Sequence, residues 1–190
     1  MIRVLLVDDH KLVREALGSV LDAEPDITVA GQASNKESAL ALCRESLPDV
    51  VLMDISFPDG CGIDLTRQVI AEVPSVRVIG LSSHIDRSFV ARMLEAGAIG
   101  YINKASGKNE LLQGIRAAAA GSFFLSQNVA ALMDQSAGHD RAGDARPHLG
   151  RRETVVLILV AEALSVPAVF AEARHGHGGG AQGKAKEASH

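Results

Sequence analysis

The chain has 190 residues, 47% of them apolar, which is enough for the core of one domain of about 100–150 residues plus a smaller piece, and wholesale disorder is excluded. Aromatics are 3% with no Trp, which argues against a stacking platform for single-stranded nucleic acid, and a net charge of −4 argues against a generic polyanion binder. The charge divides unevenly: residues 1–134 carry 12 Lys/Arg against 17 Asp/Glu, and residues 135–190 carry 7 against 6.

Short apolar runs recur, each followed by a helical pattern. Ile2–Val7 reads as a first strand, and residues 11–23 follow with Leu12, Ala16, Leu17, Val20 and Leu21 at helical spacing. Residues 27–30 read as a second strand before a helix over about 35–46. Residues 49–53 read as a third strand; a loop with Pro58, Gly60 and Gly62 leads to a helix ending near 73. Residues 76–81 and 99–102 read as the fourth and fifth strands, followed by helices over about 86–96 and 107–120. Five strands alternating with five helices predict an α/β fold, a doubly wound parallel sheet of strand order 2-1-3-4-5. Residues 126–134 then read as one short amphipathic helix, 135–148 as a polar linker and 149–165 as a helix. The Gly/Ala/His-rich residues 175–190 are expected to be disordered.

Two cysteines, Cys43 and Cys61, are too few for a disulfide framework or a four-cysteine zinc site, and read as reduced, passive thiols. The start MIRVLLVDDH has an apolar run too short for a signal peptide, and no apolar stretch reaches the roughly 18 residues of a membrane span. A soluble cytoplasmic protein without membrane contact is expected.

Ligands of open parallel sheets sit at the carboxyl ends of the strands. Those ends carry Asp8 and Asp9, then Asp54, then Ser82, Ser83 and His84, then Asn103 and Lys104. Each alone reads equally well as a turn or cap residue. Together they bring three carboxylates, a hydroxyl and a lysine to one edge. Clustered carboxylates repel, which a cation relieves, and oxygen-only ligands suit Mg²⁺. A lysine and a hydroxyl beside the cation complete a site for a phosphoryl group, with the central carboxylate as nucleophile.

This arrangement resembles the receiver domain of two-component response regulators. The matching pieces are VLLVDDH (4–10), VVLMDISFPDGCG (50–62), VIGLSSH (78–84) and GAIGYINKAS (97–106), within residues 1–121. The resemblance implies a flavodoxin-like (βα)5 fold, phosphorylation by a sensor histidine kinase, and Asp54 as phosphoacceptor. It implies Mg²⁺ bound directly by Asp9 and Asp54, by the backbone carbonyl of Ser56, and largely through water by Asp8. Ser82 becomes the switch hydroxyl, Lys104 the phosphate-binding lysine and Tyr101 the aromatic switch residue, while His84 and Ser56 flank the phosphate. Ala105 stands where many receivers have proline, whose cis bond shapes the loop; here the loop is expected to be trans or strained.

Residues 149–165, LGRRETVVLILVAEALS, resemble the first helix of the LuxR/NarL-type helix-turn-helix domain. Arg152 and Glu153 match; Val155 replaces the usual acid and Ala163 the usual glycine. The layout expected is a receiver (1–121), a short helix and linker (122–148), a partial helix-turn-helix (149–174) and a tail (175–190). No recognition helix is readable there. Read from the second base of each codon, residues 175–184 permit Thr-Gly-Thr-Val-Glu-Val-His-Arg-Ala-Lys, similar to that family's recognition helix, so a frameshift near 166–174 is expected.

The leading functional reading is a phosphorylation-controlled response regulator, ancestrally a DNA-binding transcription factor, not an enzyme with an external substrate, and able to form homodimers. The alternative is a receiver acting only through protein contacts, as a phosphate sink or dimer partner. A nucleotide binder is disfavoured because no Gly-rich phosphate loop follows the first strand. An aspartate-nucleophile phosphatase is disfavoured because the nucleophile follows the third strand, not the first.

Overall fold

The computed structural model describes residues 1–57 and 60–134. The predicted partial helix-turn-helix and tail, with the linker beyond Asp134, lie outside the described residues. In chain order the elements are β1 (Ile2–Val7), α1 (Lys11–Asp22), β2 (Ile27–Ala33), α2 (Lys36–Ser46) and β3 (Val50–Asp54). A two-residue hairpin, β4 (Ser56–Phe57) and β5 (Gly60–Cys61), precedes α3 (Gly62–Glu72). Then come β6 (Arg77–Ser82), α4 (Arg87–Glu95), β7 (Gly100–Asn103), α5 (Lys108–Ala119), β8 (Phe124–Leu125) and α6 (Gln127–Asp134).

The main sheet is parallel, in the order β2-β1-β3-β6-β7-β8. Its first five strands follow the expected 2-1-3-4-5 order. Successive side chains of a strand point to opposite faces, so a sheet this apolar needs helices on both. Val4, Leu6, Leu52 and Ile79 pack with Leu21 of α1 and Leu111, Leu112 and Ile115 of α5. Leu5, Val7, Val51 and Met53 pack with Cys43 of α2, Ile63, Leu65 and Val69 of α3, and Val90 and Met93 of α4.

The sixth strand corrects the five-strand expectation. Phe124 and Leu125 are too short a run to show a period, and tertiary contacts make the strand. A β-carbon on Gly100 would come within 2.7 Å of the Phe124 carbonyl oxygen, so only glycine admits β8 beside β7. The Ser126 hydroxyl, fully buried, accepts the Asn103 amide at 3.1 Å and donates to Asn128 at 2.8 Å. The Ser126 carbonyl takes the first helical bond of α6 from Ala130. Val129 and Met133 of α6 then join the core beside α4 and Tyr101.

Several strand ends also run further than the apolar pattern. β2 continues to Ala33, and Asp54, Ser82 and Asn103 are the last residues of their strands rather than the first beyond them. Ladder pairing ignores side-chain polarity at the carboxyl edge, so hydropathy stops short.

Gly62 fixes how α3 meets β3. A β-carbon there would lie 1.9 Å from the Asp54 carbonyl oxygen and 2.9 Å from the Ile55 α-carbon, both backbone atoms with no freedom to yield. Gly62→Ala is therefore expected to destabilise the fold by about 2–3 kcal/mol in denaturant unfolding. Gly60→Ala, with nothing within 4 Å of the added carbon, should stay within about 0.5 kcal/mol. Cys43 is fully buried in α2, and burial pushes its thiol up to about 11. Cys61, half-buried on β5, should react first with a disulfide reagent at pH 8, and Cys43 only when the domain unfolds.

Candidate functional site

The ladder register aligns the chemistry. Val7 is opposite Met53, which places Asp8 and Asp54 side by side beyond it, and Asp54 is opposite Leu81, with Ser82 opposite Asn103. Three strands thus deliver Asp8, Asp54 and Ser82 to one edge, and the loop after β7 delivers Lys104.

Asp8 and Asp54 are only 2% and 4% exposed. Lys104 Nζ stands 2.7 Å from Asp8 Oδ2 and 2.7 Å from Asp54 Oδ2. Burial raises the Asp54 carboxyl above its ordinary range, against the pull of the Lys104 hydrogen bond and charge. For Lys104, burial opposes the charged form, but its bonds to Asp54 and Asp8 outweigh that and raise its pKa, so it stays an ammonium. The Lys104 amide also donates to the Ser82 carbonyl at 2.8 Å, tying the lysine to the hydroxyl-bearing strand.

Asp8 Oδ1 accepts the His10 amide at 2.8 Å, and Arg14 reaches back to the Asp8 carbonyl. Asp9 is partly exposed on the same side, with His10 Nδ1 at 2.8 Å from its Oδ1. One ligand atom from each of Asp8, Asp9, His10 and Asp54 lies within 4.8 Å of the others. Asp8 Oδ2 and Asp9 Oδ1 are buried oxygens without an aligned hydrogen-bond donor. Three carboxylates with free lone pairs in so small a space fit a hard divalent cation.

Ser82 Oγ accepts the His84 amide at 3.1 Å. Tyr101 is fully buried, and its hydroxyl donates to the His84 carbonyl at 3.4 Å. Burial raises the Tyr101 pKa, while the Ser82 side chain beside it pulls the other way. Ser56 is exposed, its amide 3.4 Å from Asp54 Oδ1. The loop after Lys104 is trans: the described residues contain no cis peptide bond. The Ala105 amide donates to Asn103 Oδ1 at 2.8 Å, a bond proline could not make.

All the residues expected from the sequence therefore border one edge, with Asp8, Asp54 and Lys104 in direct contact and Asp9 within reach. Two contributors were not singled out. His10 turns its ring to the carboxylates; the signal was a histidine at a helix N-cap, where Ser, Thr, Asp and Asn are preferred. Ser126 anchors the strand next to Lys104, and nothing in its local sequence marks that bond.

Residues 4–116 match the response regulator receiver domain. The chain is 41% identical over 164 residues to the transcriptional regulatory protein LiaR of Bacillus subtilis, covering 85% of this chain and 77% of that protein. It is 35% identical over 173 residues to the response regulator GacA of Pseudomonas aeruginosa, covering 89% and 79%. Among solved structures, a LuxR-family two-component response regulator from Aurantimonas sp. SI85-9A1 superposes with a TM-score of 0.68 at 34% identity, over 71% of this chain and 96% of that one. The receiver domain of the response regulator NarL from Mycobacterium tuberculosis gives 0.61 at 32% identity, over 63% and 97%. The chain belongs to the two-component response regulators and carries their receiver domain.

Proposed function

We propose that Asp54 is the phosphoacceptor of this regulator. A carboxylate oxygen of Asp54 attacks the phosphorus of a phosphohistidine on a sensor histidine kinase. The new O–P bond forms as the N–P bond breaks, and the electron pair leaves with the imidazole. The observation that carries this reading is the ammonium of Lys104, 2.7 Å from both buried carboxylates, at the point where the arriving phosphoryl charge needs an opposite charge.

Asp9 and Asp54 would hold Mg²⁺ directly, Ser56 through its carbonyl and Asp8 mainly through water. Bound there, the cation supplies neutralisation of the phosphoryl oxygens. The chain's own groups do the rest. Lys104 holds charge against the incoming group. Ser82 moves from the His84 amide to donate to a phosphoryl oxygen. Tyr101, whose hydroxyl already touches the His84 backbone, follows that shift. The product is a signal carried on the protein rather than a released product.

The relatives' names point to transcription as the output, by DNA contact from the region beyond residue 148 and with homodimers as the acting species. Among the described residues no helix is long and apolar enough to cross a membrane, and we place the protein in the cytoplasm, where kinase phosphoryl groups are made.

Incubation of the purified chain with a small acyl phosphate and Mg²⁺ should add one phosphoryl group by intact mass, and Asp54→Asn should add none. An Asp54→Asn protein that is still labelled overturns the assignment. The same substitution tests the electrostatics. A carboxyl whose folded pKa is raised contributes stability below the ordinary Asp value near ~4 and loses it as pH rises through the folded value. In chelated buffer Asp54→Asn should therefore melt higher than wild type at pH 7, the gain vanishing toward pH 4. A lower melting point at pH 7 would mean that the Lys104 pairing outweighs burial.

A further inference from the structure

We propose that His10 is a nitrogen ligand of the same cation site, so that the site takes first-row transition-metal dications such as Mn²⁺ in preference to Mg²⁺. The inference rests on the reading of Asp8, Asp9 and Asp54 as a cation site.

His10 occupies the N-cap of α1, with extended backbone (φ −79, ψ 105), and its side chain makes no capping bond to the helix amides. A residue that neither caps nor packs, at a position where a capping side chain contributes about 1 kcal/mol, is held there by something else. Its ring faces the carboxylates: Nδ1 lies 2.8 Å from Asp9 Oδ1 and 3.3 Å from Asp8 Oδ1. The His10 amide donates to Asp8 Oδ1, so the backbone bond that shapes the turn also aims the ring. The ring is 67% exposed, which leaves it free to rotate the small distance that separates contact from coordination.

Nδ1 belongs to the group of four ligand atoms that lie within 4.8 Å of one another. A divalent ion with bonds of about 2.1 Å spans up to roughly 4.2 Å between opposite ligands, so slight contraction seats one ion among all four. The second observation is chemical. Asp8 is almost fully buried, and its Oδ2 has no aligned hydrogen-bond donor although Lys104 Nζ is 2.7 Å away. The site thus offers carboxylate oxygen, which any hard dication accepts, plus one imidazole, which Mg²⁺ takes poorly and later first-row metals take well. Adding one nitrogen to an all-oxygen set shifts selectivity along the Irving–Williams order.

The test uses the full chain. Mn²⁺ and Mg²⁺ affinities are measured by calorimetry for wild type and His10→Ala, and pulsed EPR of the Mn²⁺-loaded protein looks for imidazole nitrogen coupling. Alanine loses no capping bond, because histidine makes none. A control carrying His84→Ala, His175→Ala and His177→Ala keeps His10 and removes other histidines near the site and in the tail. The expected result is nitrogen coupling in wild type and control but not in His10→Ala, with Mn²⁺ affinity falling about tenfold or more and Mg²⁺ affinity moving less than about twofold. If both cations bind, no coupling appears and His10→Ala changes neither affinity, the His10 inference is overturned and a carboxylate-only site stands. If neither cation binds wild type, the cation site itself is refuted and the inference falls with it.

Discussion

Two carboxylates buried side by side cannot both stay ionised without a cation, and here that cation is the Lys104 ammonium. At 2.7 Å from Asp8 and from Asp54, it offsets a repulsion that burial makes severe. Removing one partner of such a buried set leaves an uncompensated charge, a change that costs about 3–5 kcal/mol. The arrangement is therefore poised rather than relaxed. Burial pushes Asp54 toward its neutral form while Lys104 pulls it toward the anion. A group held between two opposed influences responds strongly when a new charge arrives.

The sheet exists, in functional terms, to hold that set. Parallel register puts Asp8 beside Asp54 and Ser82 beside Asn103, and a slip of one residue would send each side chain to the opposite face. Register is pinned by burial on both faces, where strand residues such as Leu5, Leu6, Leu52 and Met53 are nearly inaccessible to water. Gly62 adds a local constraint, since α3 abuts the backbone of Asp54 so closely that no side chain fits. Core stability and site geometry are thus the same property seen at two scales.

Most of this was legible because two periods and one positional rule suffice. Apolar runs located β1, β3, β6 and β7, helical spacing located the helices between them, and the carboxyl-end rule turned strand ends into a site containing Asp8, Asp9, Asp54, Ser82 and Lys104. β8 was not legible. Two residues carry no period, and the strand depends on a missing β-carbon at Gly100 and on the Ser126 hydroxyl meeting the Asn103 amide, both non-local. The orientation of His10 was hidden for a similar reason: its identity is visible in the sequence, but the failure to cap α1 is a fact of geometry. The trans loop at Ala105 was open from sequence and is settled by a side chain two residues back, Asn103.

β8 and α6 matter because of what they touch. Tyr101 lies in one continuous packed cluster with Val90 and Met93 of α4 and Val129 and Met133 of α6. Protein interiors are packed too densely for one large ring to move alone. A shift of Tyr101 must be absorbed by α4, by α6 or by both. The backbone route runs the same way: Ser126 donates its amide to the Tyr101 carbonyl and accepts the Asn103 amide, one residue from Lys104. The start of α6 is further tied to α5, where Glu110 accepts the Gln127 amide. The helix that leads into the C-terminal third of the chain is thereby anchored on both the aromatic residue and the strand that carries the lysine. Charge added at Asp54 acts on Lys104 directly, and the packing and hydrogen bonds around β7 carry that change to α6 without any contact between α6 and the carboxylates.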